Sequence, residues 1–334
     1  MAAAPLEIGN ISVLPGEIKR GGIPIGADMY GRERELPIIV CRGVGDGPIL
    51  WISGATHGDE PEGPYSILLT LPKLDPCNMK GTLVAVPVMN VEAFMQGDRG
   101  DPRDTFSYDM NRIYPGRPDG YATERVAWAH YSAMKGCVDL HIAIHSGGDH
   151  SYLDTAIFAA ETPACLELAG AMGPEWDLVN VSGVGRGSPA SILAEEGKGA
   201  ITVELGGWCR MLTREFHEIG RRLSEAYLNV MRHYGMIPGR PRYAEKWYWG
   251  HQIALLANAS GLWIGEDIEF RKPMKKGTVL GRIYNLYGDE LEVVRAPEDG
   301  QVFGLRFRPM VRTGEWLCFY AVIDKVRDDL IPRR

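Results

Sequence analysis

The chain has 334 residues, of which 45% are hydrophobic and 24% are charged, and its formal net charge at pH 7 is −7. The apolar fraction excludes a disordered chain, and the length predicts two domains or one large domain with an appendage. The acidic balance provides no basic surface for nucleic acid, and no apolar run is long enough to span a membrane, so we expect neither partner.

Six cysteines without a close pairing pattern are typical of a protein in a reducing compartment. We therefore expect a cytoplasmic protein. The composition also includes 41 glycines and 22 prolines, which predict many tight turns between short strands.

Short apolar runs separated by turn residues fill the first third of the chain. Residues 36–42, 49–53 and 81–88 are predicted strands, and a helix is predicted over 62–71. The polar stretch 90–120 predicts a long loop, and such a loop inside a compact domain usually has a function. Thr123 is the predicted N-cap of a helix over 124–135.

Strands and helices continue to alternate in the middle of the chain. The predicted strands are 138–145, 155–160 and 200–205, and the predicted helices are 163–172 and 213–234. This alternation predicts the α/β class, with a mixed central sheet flanked by helices.

The pattern changes after residue 240, because 257–324 lacks a helical period and consists of short strands separated by glycines. It predicts a small all-β domain. We therefore predict a larger α/β domain over 1–240 and a β-rich C-terminal domain over 241–334.

Four polar clusters follow predicted strands, where ligand sites of open α/β sheets form. In the first, GATHGDEPEG, His57 and Glu60 are three residues apart and can converge on one cation such as Zn²⁺. Taken alone, such a pair is more often a chance surface pair.

In the second cluster, DMNRIYPG, Asn111 and Arg112 can bind a carboxylate, although a loop arginine is as readily paired with a nearby aspartate.

The third cluster ends the strand DLHIAIH, where His141 and His145 lie on the same face. His145 precedes Ser-Gly-Gly at the strand end and suits a third zinc ligand, whereas His141 is more simply a hydrogen-bonded histidine inside the strand. The fourth cluster is ITVELGG, in which Glu204 ends an otherwise apolar strand. A partly buried glutamate there can act as a general base, and an ion-paired structural glutamate is the alternative.

Together these clusters supply the parts of a zinc-dependent amide hydrolase. The four motifs resemble the succinylglutamate desuccinylase/aspartoacylase family of the zinc carboxypeptidase-like superfamily, and the resemblance covers about residues 36–324. It implies one Zn²⁺ per chain, a general base that activates water, and two residues that bind a substrate carboxylate. The zinc ligands it implies are His57 and Glu60, the base is Glu204, and the carboxylate-binding residues are Asn111 and Arg112.

The resemblance also implies a third zinc ligand, which relatives place at about the distance of His145 from Arg112 and directly before a Ser-Gly-Gly turn, so it favours His145 over His141. Members of the family place an aspartate two residues before this ligand, where the chain has Ala143. A further arginine of the family stabilises the oxyanion, and Arg99 matches its R-x-x-P-x-D pattern. Arg103 is the second candidate, and Arg186 in GVGRGSP is a third without a clear counterpart.

The C-terminal segment resembles the barrel-like β-domain of the family, which is similar to biotinyl carrier domains. Its predicted hairpin tip near Tyr287 has no lysine for a swinging arm, so a cover over the site or an oligomer contact is expected instead. We expect a homo-oligomer.

The predicted function is hydrolysis of an amide bond in a small N-acyl amino-acid-like substrate. The H-G-D-E-x-E-G motif resembles the ectoine-degradation branch, which removes acetate from N-acetyl-diaminobutyrate, although Pro61 stands at x where a tyrosine is common in that branch. Deacylation of an acidic amino acid is an alternative, and a carboxypeptidase is disfavoured because the C-terminal domain would restrict access. A non-catalytic metal-binding relative is the remaining hypothesis.

Overall fold

The computed structural model describes residues 4–181, 185–207 and 213–330. Eighteen strands and six α-helices are defined in these residues. The strands are β1 (Leu6–Ile8), β2 (Ile11–Val13), β3 (Ile18–Ala27), β4 (Glu33–Arg42), β5 (Gly45–Ser53), β6 (Lys80–Val86), β7 (Leu140–His145), β8 (Ser151–Ala159), β9 (Leu178–Asn180), β10 (Gly199–Gly206), β11 (Trp247–Leu256), β12 (Gly261–Gly265), β13 (Pro273–Met274), β14 (Val279–Tyr284), β15 (Glu290–Arg295), β16 (Gly300–Arg306), β17 (Met310–Val311) and β18 (Trp316–Arg327). The helices are α1 (Glu62–Thr70), α2 (Val91–Gln96), α3 (Ala122–Met134), α4 (Pro163–Ala171), α5 (Pro189–Glu195) and α6 (Thr213–His233).

A twelve-stranded mixed sheet organises the molecule, in the order β13-β16-β18-β11-β9-β8-β10-β7-β5-β6-β4-β3. Its centre consists of four adjacent parallel strands, β6, β5, β7 and β10. Because parallel strands end at the same edge, the loops after β5 and β7 and the carboxyl end of β10 lie together there. The predicted mixed sheet is confirmed.

Helices cover both faces of this sheet because its central strands are apolar on both sides. Leu50 and Ile52 of β5 belong to the core beneath α1, α4 and α6, whereas Trp51 between them belongs to the core beneath α3 and α5. This alternation follows from the two-residue repeat of a strand.

Hydrogen bonds also join α1 to α6 on the first face. Ser66 contacts the hydroxyl of Tyr227 at 2.9 Å, and Thr70 donates to Ser224 at 2.9 Å. These bonds fix α1 relative to α6, and with it the loop between β5 and α1.

The region after residue 240 is strand-rich, as predicted. It has a hydrophobic core of its own, which contains Trp263, Leu280, Ile283 and Leu317, and a four-stranded sheet ordered β15-β14-β12-β17. Its strands β11, β16 and β18 nevertheless continue the large sheet, where β11 pairs with β9. The boundary between 240 and 241 stays a prediction.

The long polar stretch contains more regular structure than predicted. It forms α2 and a 3₁₀ turn, Met110–Arg112. The expected N-cap, Thr123, is wrong: α3 begins at Ala122, and the backbone N–H of Thr123 donates to Asp104 at 2.7 Å. Asp104, which lies 19 residues earlier in the chain, thus accepts a backbone N–H of the first turn of α3, where a capping residue adjacent in sequence had been expected.

Candidate active site

All seven predicted site residues line one cavity of about 660 Å³ at the carboxyl ends of the central parallel strands. The loop after β5 supplies two of them, β7 and β10 supply one each, and the long polar stretch supplies the other three. They are His57, Glu60, His145, Glu204, Arg99, Asn111 and Arg112.

His57, Glu60 and His145 form a buried group in which one ligand atom of each lies within 4.8 Å of the others. Nδ1 of His57 lies 2.7 Å from Oε1 of Glu60, and Nδ1 of His145 lies 2.9 Å from Oε2 of the same carboxylate. The two imidazole Nδ1 atoms are 3.2 Å apart. The three side chains therefore point their ligand atoms at a common position.

The arrangement fits a tetrahedral zinc ion. Ligand atoms about 2.0 to 2.1 Å from one zinc ion lie roughly 3.3 Å from one another, which matches the separation of the imidazole nitrogens. Two histidines and one glutamate also form a common donor set of catalytic zinc sites, and three protein ligands leave a fourth position open. The chemistry and the spacing of these residues thus suit the predicted metal.

Asp109 holds the opposite side of the His57 ring, a contact that the motif reading did not include. Its Oδ1 lies 3.1 Å from Nε2 of His57. Burial disfavours the charge of this carboxylate, but the His57 hydrogen bond and the positive charge of Arg99 outweigh that effect and lower its pKa. An ionised Asp109 fixes the ring so that Nδ1 faces Glu60. The sequence feature that could have identified Asp109 is its position two residues before Asn111 in the DMNRIYPG motif.

The second nitrogen of His145 has a different environment. Nε2 is buried and has no hydrogen-bond partner among the described residues. The position that supplies an aspartate in the family is Ala143, which has no donor or acceptor side chain. The two histidines of the group are therefore oriented by different means.

Glu204 lies beside His145, because these residues are register partners of the parallel strands β10 and β7. Its Oε2 is buried, and no described residue forms a hydrogen bond to it. Burial, followed by the negative charge of Glu60, raises its pKa well above the usual range. A carboxylate in this environment holds a proton readily, as a general base must after it has taken one.

Arg99 contacts both the histidine group and its supporting acid. Its Nε and Nη2 donate to Oδ2 of Asp109 at 3.2 and 2.9 Å, and its Nη1 lies 3.3 Å from Nδ1 of His57. Arg103 instead pairs with Glu92 and Asp101 and is not among the residues lining the cavity. The exposed Arg186 does not line the cavity either, although Gly185 does; Gly183 and Val184 of its motif lie outside the described residues.

Asn111 and Arg112 lie at the cavity wall on a firmly held turn. Asn111 Oδ1 is buried without a partner in the described parts of the chain. The backbone N–H of Tyr114 donates to the carbonyl of Gly187 at 2.8 Å. At Gly187 a Cβ would lie 2.2 Å from the carbonyl oxygen of Arg112, so the two segments touch.

His141 is buried away from the cavity. Its Nε2 lies 2.9 Å from the hydroxyl of Ser53, and burial lowers its pKa to about 3, so the ring is neutral. The structure thus brings His145, and not His141, to the histidine–glutamate group.

The far wall of the cavity comes from the C-terminal region. Gln252 and Ala254 of β11 and Trp316 and Phe319 of β18 line it. The rings of Trp316 and Phe319 stack, with centroids 4.1 Å apart. The sequence led us to expect either a cover over the site or an oligomer contact from this region, but it did not identify these residues, because no local motif marks them.

The fold and site define a mixed α/β protein with a His-Glu-His group at the carboxyl ends of parallel strands. The family model of the succinylglutamate desuccinylase/aspartoacylase catalytic domain matches residues 46–233. The chain belongs to this family.

Two relatives of the chain concern diaminobutyrate or ectoine chemistry. An N-alpha-acetyl-L-2,4-diaminobutyric acid deacetylase from Halomonas elongata is 26% identical over an alignment of 306 residues, and the match covers 86% of each chain. The product-bound ectoine utilization protein EutE (DoeB) from Ruegeria pomeroyi has a TM-score of 0.80 and 25% identity, covering 91% of this chain and 95% of that one.

A succinylglutamate desuccinylase from Silicibacter sp. TM1040 has the same fold. Its TM-score is 0.80 at 23% identity, and the match covers 96% of this chain and 100% of that one. Among the described residues, no helix is long and apolar enough to cross a membrane.

Proposed function

We propose that the protein is a zinc-dependent deacylase that hydrolyses the amide bond of a small N-acyl amino acid, with N-acetyl-diaminobutyrate as its substrate. The observation that carries this proposal is the convergence of the His57, Glu60 and His145 ligand atoms in the cavity that Glu204 also lines. The Halomonas elongata relative, which is named for this substrate, supports the choice of acyl amino acid.

His57, Glu60 and His145 would hold one zinc ion. The ion would polarise water and lower its pKa, which is the usual contribution of zinc in hydrolases. Asp109 fixes the His57 ring through Nε2, so that Nδ1 stays turned towards Glu60 and would be available to the metal.

Glu204 takes the proton from the attacking water as its oxygen bonds to the acyl carbon, and it then delivers the proton to the leaving amine nitrogen. The C–N bond breaks, and the products are a carboxylate and a free amino acid. Half-burial of Glu204 and its raised pKa suit both steps, because the group both accepts and releases the proton.

Asn111 and Arg112 bind the α-carboxylate of the substrate, and Arg99 hydrogen-bonds the oxygen on which negative charge develops. A fixed guanidinium lowers the barrier most when it meets charge that is absent from the ground state. The salt bridge from Arg99 to Asp109 supplies that fixed position.

A hydrolysis screen tests the proposal. The purified zinc-loaded protein is incubated with acetyl, succinyl and formyl derivatives of aspartate, glutamate and diaminobutyrate, and release of the free amine is measured. We expect N-acetyl-diaminobutyrate to give the highest kcat/KM. Release from an acidic derivative alone would favour the aspartoacylase-like alternative, and release from none would contradict the proposed function.

A further inference from the structure

A second polar group lies on the cavity wall, outside the predicted machinery. Asp59, Asp149 and His150 each offer a ligand atom within 4.8 Å of the others. Asp59 and His150 line the same cavity as Arg112. We propose that this group binds the side-chain ammonium of the substrate and so selects N-acyl diamino acids; the inference rests on the proposed function.

Asp59 is the central residue of this group. Only 7% of its surface is exposed, and its Oδ1 is buried without a hydrogen-bond partner among the described residues. Its Oδ2 accepts the backbone N–H of Asp149 at 3.2 Å. A buried carboxylate oxygen that faces no donor loses its hydration without compensation, so a donor from the ligand would restore the missing bond.

The loop after β7 fixes this carboxylate against its backbone. Gly148 has φ +58°, and a Cβ there would lie 2.2 Å from Oδ2 of Asp59. Because Gly148 has no side chain, the carboxylate of Asp59 can occupy this position on the cavity wall. The backbone of the loop after β7 therefore restricts where the Asp59 carboxylate can lie.

The second carboxylate of the group already has a cationic partner. The guanidinium of Arg308 lies 2.5 Å from Oδ2 of Asp149, whereas Oδ1 of Asp59 has no hydrogen-bond partner among the described residues. The group thus leaves one buried acceptor unfilled, which suits a single primary ammonium better than a divalent metal ion that needs several free ligands.

Aromatic rings complete the surroundings of the proposed ammonium site. The His150 ring meets Trp316 edge-on with centroids 5.6 Å apart, and Trp316 stacks on Phe319. Aromatic faces attract a desolvated cation and exclude water from it. The cavity thus presents Arg112 for the carboxylate of the substrate and the Asp59 group for its ammonium.

The experiment compares two substrates that differ at one atom. N-acetyl-diaminobutyrate carries the ammonium, and N-acetyl-norvaline carries a methyl group at the same position. We measure kcat/KM for both with the zinc-loaded protein and with Asp59→Asn, Asp149→Asn and the exposed control Asp98→Asn, together with zinc content. We expect the wild type and Asp98→Asn to prefer the ammonium substrate by at least about tenfold.

Asp59→Asn should reduce this preference by about 10- to 100-fold, with zinc content and the norvaline rate unchanged within about threefold. Asp149→Asn, whose contacts are with Asp59, His150 and Arg308 and not with the proposed ligands, should reduce it in the same direction and decides the matter if Asp59→Asn loses zinc or does not fold. Equal wild-type rates on the two substrates, or an unchanged preference in Asp149→Asn, would overturn the inference while leaving the deacylase proposal intact. If the wild type binds a second equivalent of zinc and Asp149→Asn removes it, the group is a metal site and the inference is overturned. Hydrolysis of no N-acyl amino acid would instead contradict the proposed function itself.

Discussion

Glu204 shows how one residue acquires a chemical role from its neighbours. Its strand partner is His145, its Oε2 is buried, and burial together with Glu60 raises its pKa. Each of these features favours a group that takes and returns a proton beside the metal ligands. None of them requires Glu204 to hold the metal.

Replacing Glu204 by glutamine therefore separates catalysis from metal binding. We expect Glu204→Gln to lower kcat about 100- to 10,000-fold, because the amide cannot accept a proton, while zinc content stays at the wild-type level. Steady-state kinetics and mass spectrometry of bound metal measure the two quantities. Glu161→Gln, an exposed change, is the control, and a Glu204→Gln protein that loses zinc would show that Glu204 is a ligand instead.

At the level of secondary-structure elements, a buried hydrogen-bond network holds the turn that carries Asn111 and Arg112. Trp51 of β5 donates its Nε1–H to Nε2 of His130 on α3 at 2.9 Å. Since burial lowers the pKa of His130 and keeps its ring neutral, Nδ1 carries the proton and donates to the Tyr114 hydroxyl at 2.9 Å. A strand, a helix and the turn are thus joined through one imidazole.

Replacing Tyr114 by phenylalanine tests this network. Nδ1–H of His130 then loses its acceptor in a buried environment, and we expect the free energy of unfolding to fall by about 1 to 3 kcal/mol. We also expect KM to rise by up to about tenfold, because Arg112 lies two residues away on the same turn. Urea unfolding and kinetics measure the two effects, with the exposed Tyr287→Phe as control; wild-type values for both would show that the turn does not depend on this bond.

Sequence motifs identified residues that the structure brings into one cavity, but they did not identify the residues that support that cavity. His57, Glu60, His145 and Glu204 are recognisable because each closes or follows an apolar strand, and parallel strands end at one edge. Trp316 and Phe319 reach the cavity through pairing of β18 with β11, about 70 residues apart in the chain, and no local pattern encodes such pairing. The contact between Asp104 and the start of α3 was missed for the same reason.

At the scale of the whole molecule, the cavity joins two parts of the chain. The parallel centre of the sheet supplies the proposed ligands, and β11 and β18 supply the far wall. A metal ion held by β7 and by the loop after β5 would bind the folded chain and not the unfolded one, so it should stabilise the whole protein.

Removal of the metal should therefore lower the thermal stability. Free zinc at about 1,000 times its dissociation constant contributes about 4 kcal/mol to folding, so the chelated protein should melt several degrees lower and recover when zinc is restored. Scanning calorimetry measures the difference, and His57→Ala serves as a control on which chelation should have no effect. Identical melting of the wild-type protein with and without chelator would contradict a structural contribution from the metal.

The central claim is that His57, Glu60 and His145 hold one zinc ion, and metal content tests it most directly. Mass spectrometry of the purified wild type, His145→Ala and His141→Ala compares two histidines that lie four residues apart on β7, one in the group and one bonded to Ser53. We predict about one equivalent of zinc in the wild type and in His141→Ala, and at least about a tenfold loss in His145→Ala. Equal zinc in all three proteins, or a loss confined to His141→Ala, would contradict the account.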